Sequence, residues 1–253
     1  MQHRQKQRTV TSAQLSEFLE AARMASHGPE GVAAQDKAFR AILDATVYAH
    51  VPVEPSPSGR LRFIQFVRPD NGQTVLPFFS DLAQAEQASS DRVSIMAMAG
   101  RRLFEITRGA TLMFNPNSDA VALYPPEVIA LLGGKPIGYF TKEALLESVL
   151  IAAGLPSVST EALDSPLRAL FESEPPVRAA YLTEVHREGE RAEVFLLLTI
   201  VAARAYHERI HHLVSLVLTE ESPDLSLPLS ITFAVPDEPL PLFCHEGIQF
   251  YGT

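Results

Sequence analysis

One stretch of this chain has the residue types and spacing of a catalytic metal centre: His207-Glu208-Arg209-Ile210-His211 fits the H-E-x-x-H pattern. On a helix, residues four apart project from one face, so His207 and His211 are spaced to hold one zinc ion while Glu208 activates its water for hydrolysis. Three features of the same stretch oppose that chemistry. Tyr206, Ile210, Leu213, Val214 and Val217 recur at helical spacing and set the core-facing stripe, with both histidines on its flank. Arg204 falls on that flank one turn earlier and brings a fixed cation towards a dication. Glu220, Glu221 and Asp224 follow the helix closely, but the H-x-x-G-x-x-H extension that would supply a third ligand is missing. The expectation is no catalytic residue, no metal ligand and no cofactor. A zinc-dependent hydrolase using His207, Glu208 and His211 is the enzymatic alternative. Without metal, the histidines from His207 to His212 form a partly exposed, histidine-rich helix face.

Other chemical patterns are weaker. Cys244-His245-Glu246 sets a thiol next to an imidazole, but neighbours in an extended segment point to opposite sides, so a structural cysteine is expected. Gly133-Gly134-Lys135-Pro136 lacks the glycine spacing and the Ser/Thr of a phosphate-binding loop, and neither G-x-G-x-x-G nor G-x-S-x-G occurs. Arg62 and Arg68 alternate with Phe63 and Phe66, but Phe66 is the single aromatic on the arginine face of such a strand. A formal charge of -9 repels phosphate backbones and anionic membranes and favours basic or neutral protein surfaces. His3, Arg4, Lys6 and Arg8 make a basic tail over residues 1–10. With no apolar leader pattern and the single Cys244, a reducing cytoplasm is expected.

The elements that must position these residues read as α+β. At 253 residues, two modest domains are expected, 1–138 and 139–253, divided where Gly133, Gly134, Pro136 and Gly138 crowd together. Each would hold a mixed or antiparallel sheet packed with helices. In the first, Leu15, Phe18, Leu19 and Ala22 mark a helix stopped by Gly28-Pro29, and Ala38, Ile42 and Ala45 share the face of a second. Residues 46–53 read as a strand and 55–59 as a loop. A hairpin of 61–67 and 74–79 turns at Asp70-Asn71-Gly72, with Ser80 as N-cap of a short helix to residue 88. A strand at 93–98, a helical turn at Leu103 and Phe104, strands at 111–114 and 121–123, and a helix from Pro125-Pro126 to Leu132 complete it.

The second domain opens with helical patterns over 142–152, capped by Thr141, and over 165–171. Strands at 177–186 and 192–201 flank the loop from Arg187 to Glu190, and the second, apolar on both faces, is expected to be central. A helix over 205–218, a strand at 229–235 and a tail punctuated by Pro236, Pro239 and Pro241 follow.

The order and spacing of several of these residues resemble a known family. They are Ala38-Phe39-Arg40, Leu43-Asp44-Ala45-Thr46-Val47-Tyr48, Val75-Leu76-Pro77-Phe78-Phe79-Ser80, Leu103-Phe104-Glu105-Ile106-Thr107, Leu112-Met113-Phe114-Asn115-Pro116 and Pro126-Glu127-Val128-Ile129. Together they resemble the N-terminal domain of the enhanced serine sensitivity (SseB) family. Leu170-Phe171, residues 176–182, the apolar run 196–200 and Phe250-Tyr251 are similar to that family's C-terminal module.

The resemblance implies kinship and a growth phenotype, sensitivity to serine, but no reaction, cofactor or catalytic residue. The function expected is a non-enzymatic, cytoplasmic interaction or regulatory protein that offers sheet edges and an acidic surface to another protein, with no nucleic-acid or membrane partner. Beside the zinc hydrolase, a small-ligand sensor for an amino acid, with a pocket between the domains, is the other alternative.

Overall fold

The computed structural model describes residues 10–25, 28–54, 60–90, 93–138, 150–187 and 193–252. The basic residues of the tail, the 55–59 loop, Thr141 with most of the 142–152 helix, and Glu188 to Glu190 lie outside them. The chain divides into two units, Met1–Thr141 and Lys142–Thr253.

In the N-terminal unit, Thr11 caps α1 (Ser12–Met24): its hydroxyl accepts from the Gln14 amide and Gln14 reciprocates. Gly28-Pro29 does more than stop α1, because it opens α2 (Gly28–Asp44). There follow β1 (Thr46–Pro52), β2 (Phe66–Val67), β3 (Thr74–Phe79), α3 (Leu82–Gln87), β4 (Val93–Ala99), α4 (Gly100–Ile106), β5 (Leu112–Phe114), β6 (Val121–Leu123) and α5 (Pro125–Leu132). The sheet runs β4-β1-β3-β5-β6, with β2 paired to β3. Among its described strands β3 and β5 alone pair in parallel, which makes the sheet mixed.

The hairpin at Asp70 to Gly72 differs from its expected form. The first strand shrinks to Phe66–Val67, and only Gly72 takes a positive φ, 71°, so Asn71-Gly72 is not a two-residue turn. The Arg68 amide instead donates to Gln73 O, closing a longer loop. Asp81, not Ser80, caps α3.

Pro77 lies in β3, where a missing donor would break a ladder. The alternation of the strand resolves this. Leu76 N and Phe78 O bond towards β5, so Pro77 N faces the other side, at the seam where pairing passes from β2 (at Val75) to β1 (at Phe78). Phe78 and Phe79 are fully buried, worth about 1.5–3 kcal/mol each relative to exposure.

The C-terminal unit contains β7 (Leu150–Gly154), α6 (Glu161–Ser173), β8 (Val177–Arg187), β9 (Glu193–Ala202), a 3₁₀ turn (Arg204–Tyr206), α7 (His207–Glu221), β10 (Leu229–Ala234), α8 (Leu242–His245) and β11 (Ile248–Tyr251). Its sheet runs β10-β9-β8-β11, with β7 paired to the far end of β8. β9 is central and parallel to β10, in keeping with its apolar run. Leu163, Leu167 and Phe171 of α6 and Ile210 and Val214 of α7 pack on Ala180, Leu182, Leu196, Leu198 and Ile200. Residues 150–152, read as the end of a helix, are strand, and α8 interrupts the tail read as extended. Both units therefore combine helices with sheets, an α+β architecture.

Candidate functional site

The histidine helix was the strongest chemical pattern in the sequence, and the structure gives its residues other partners. His207 begins α7, where Nε2 donates to the carbonyl of Ala202, 2.7 Å away, and its ring stacks on Phe233 at 4.5 Å with planes 17° apart. His211 meets the same ring edge-on at 6.3 Å. Both imidazoles thus flank a phenyl ring from β10. Arg204 pairs with Glu238 at 2.7 Å, and Tyr206, assigned to the core stripe, is 40% exposed because it precedes the helix in the 3₁₀ turn. Among the described residues no three His, Cys, Asp or Glu side chains converge to hold a metal ion. Cys244 is buried within α8, and burial raises its thiol pKa, which suits packing over nucleophilic chemistry.

A polar node that sequence reasoning did not single out lies at the carboxyl ends of the parallel strands β3 and β5. Asn115 is fully buried with φ 43°, a conformation asparagine tolerates better than other non-glycine residues. Its Oδ1 accepts from the Ser80 amide at 2.9 Å, and its Nδ2 donates to Ser80 Oγ at 3.1 Å and to Asp119 at 2.8 Å. Ser80 Oγ donates to Asp81, whose other oxygen accepts from the Gln84 amide at 2.9 Å. Burial raises the Asp81 pKa, but the donors from Gln84 and Ser80 outweigh it and hold the carboxyl below its ordinary range. Arg23 of α1 closes the outside, 2.7 Å from Asp119. Among the described residues, the side-chain partners of Ser80 are Asn115, Asp81 and Gln84, none of them an imidazole base. The node's members bond to one another, so the arrangement ties α1, β3, α3 and β5 together.

A third feature is open to solvent. Between α6 and the edge strand β11 runs a groove of about 260 Å³ whose lining includes Leu163, Leu167, Leu182 and Phe250, with Asp164 and Arg168 at its rim. Tyr251 fixes β11 beside the helix by donating to Phe171 O at 3.0 Å. The nearby Glu184 accepts from the Ser157 hydroxyl and backbone amide, which with His186 hold its pKa below the glutamate range.

Residues 15–130 match the family profile described as SseB protein N-terminal domain. A curated relative, Protein SseB of Escherichia coli (strain K12), is 30% identical over 173 residues, covering 65% of this chain and 65% of that protein. Protein SseB of Shigella flexneri aligns with the same figures. The chain is thus similar to SseB proteins, and residues 15–130 carry the match to their N-terminal domain. No solved structure matches it. The aligned part spans about two thirds of the curated SseB relatives' length.

Every residue of the Asn115 node lies within the matched SseB span, whereas α7 and the α6 groove lie beyond it. Ser80 and Asn115 each close an apolar strand segment among the residues that carry the family resemblance. That placement was the available signal. Sequence alone gave no means of seeing that they meet, 35 positions apart.

Proposed function

We propose that this chain is a non-enzymatic interaction or regulatory protein of the SseB type, acting in the cytoplasm by docking another protein. The observation that carries this reading is β4. It ends the N-terminal sheet, and its outer side pairs with no described strand. Over seven residues, Val-Ser-Ile-Met-Ala-Met-Ala, it has no charge and no proline. Natural edge strands are ordinarily blunted by lysine, proline or bulges, and β4 carries none of these over its full register with β1. Such an edge suits a partner strand, which main-chain hydrogen bonds can add to the sheet. The net charge of -9 favours a basic or neutral partner surface.

The test is affinity purification of the tagged chain from its native host, beside an Ile95→Lys/Ala97→Lys variant. Both positions lie on one face of the strand. The expected outcome is a stoichiometric partner with the natural chain that the variant loses. Recovery of no stoichiometric partner at any growth stage would overturn the proposal.

A further inference from the structure

We propose that the groove between α6 and β11 binds an extended segment of a partner protein in which apolar side chains are flanked by lysine or arginine, the segment adding to the sheet as a strand outside β11. This rests on the interaction reading above but uses a different surface. β11 closes the strand order β10-β9-β8-β11 and, among the described strands, pairs only with β8. Its pairing shifts register between Gln249 and Tyr251, and on the Ile248–Gln249 side of that irregularity the edge presents main-chain donors and acceptors that an extended chain completes. Alternate side chains of the added strand then face the space beside α6, which Leu163, Leu167, Leu182 and Phe250 make largely apolar. At about 260 Å³ it falls below the ~300–1,000 Å³ usual for cofactor and drug-sized sites, and suits one or two side chains. Ile248, on the edge strand itself, is 42% exposed at the mouth.

Charge selects the occupant. Glu161 and Asp164 line the groove and Glu172 joins them in the adjoining depression, against the guanidinium of Arg168, which already donates to Asp164 at 3.1 Å. The rim is therefore acidic and complements lysine or arginine on the incoming strand. A second copy of a chain with net charge -9 is a poor match for such a rim.

The test is fluorescence anisotropy on the full chain with two capped, labelled octapeptide pools. One alternates lysine with leucine, isoleucine, valine or phenylalanine; the other carries glutamate for lysine. The expected result is binding of the lysine pool alone, weakened roughly tenfold in Glu161→Lys/Asp164→Lys and unchanged in Glu17→Lys/Glu86→Lys, which shifts the net charge equally at exposed sites elsewhere. Ile248→Lys should weaken it as well. Equal binding of the two pools, no binding of either, or equal weakening by both double variants overturns the assignment. A dimer in sedimentation that Glu161→Lys/Asp164→Lys abolishes overturns it too, in favour of a second copy. If a cellular partner depends on β4 while neither pool binds, the interaction reading stands and this inference fails.

Discussion

Replacing Asn115 tests whether the node at the ends of β3 and β5 holds the N-terminal unit together. Asn115→Ala removes the acceptor of the Ser80 amide and both donations to Ser80 Oγ and Asp119. Ser80 is 5% exposed, so its amide is left in a site with little access to water, at a cost of about 1–3 kcal/mol. Alanine must also adopt φ 43°, which costs an L-residue with no local side-chain hydrogen bond roughly 1–2 kcal/mol. Together these predict a loss of about 2–5 kcal/mol. Asn115→Gly loses the same hydrogen bonds but escapes the backbone penalty, and after the ~0.5–1 kcal/mol entropy cost of glycine it should be the milder variant. Asn115→Asp sets a second carboxylate against Asp119, 2.8 Å from the present amide nitrogen, and should recover part of its stability in acid.

The assay is urea unfolding by circular dichroism, with hydrogen exchange at the Ser80 amide assigning the transition to this unit. A glycine variant as unstable as the alanine one would refute the argument from φ. An alanine loss under ~1 kcal/mol would refute the argument from the stranded amide.

Gly100 starts α4 directly after β4, and an added Cβ would lie 2.0 Å from the Ile42 carbonyl oxygen. Gly100→Ala should cost about 3 kcal/mol or more, read as a fall in the urea midpoint, since backbone must move to admit it. Glu184 has a pKa held below the ordinary ~4.3 by the Ser157 hydroxyl and amide, so the folded state binds fewer protons than the unfolded chain in acid. Its contribution is present above the unfolded value and lost as pH falls through the folded one. Glu184→Gln should therefore be less stable at pH 7 and flatten the acid limb of the stability profile, and an unchanged limb would contradict this. His207→Ala removes the Phe233 stack and the donation to Ala202 O, and should cost about 1–3 kcal/mol in a thermal melt. Added zinc should leave the natural chain's melting temperature unchanged, and a rise abolished by His207→Ala would restore the metal centre.

Local patterns determined most of the element types. The apolar period of Leu15, Phe18 and Leu19 places α1, Pro125-Pro126 opens α5, and the continuous apolar run of β9 marks a strand with neighbours on both sides. Such signals are legible because hydrophobic spacing and φ restrictions act over a few residues. Where competition was local and close, the sequence misled. Asp81 outcompeted Ser80 as a cap because its carboxylate accepts the Gln84 amide while the Ser80 hydroxyl accepts from Asn115 Nδ2 and donates to Asp81. Residues 150–152 became strand because β8 offered an open edge.

The candidate sites divide the same way. The H-E-x-x-H spacing was plain in the sequence, but what His207 does depends on Phe233 and Ala202, brought to it by the parallel pairing of β9 and β10. The meeting of Ser80 with Asn115, and of α6 with β11, depends on contacts between distant segments. Hydrophobic burial drives those contacts, but its energy is non-directional and leaves no spacing rule in the chain. The sequence by itself thus determined the likeness to SseB proteins, the α+β composition and the acidic charge. Tertiary structure alone decided which polar residues share a node, which described strands end their sheets, and where an apolar groove meets an acidic rim.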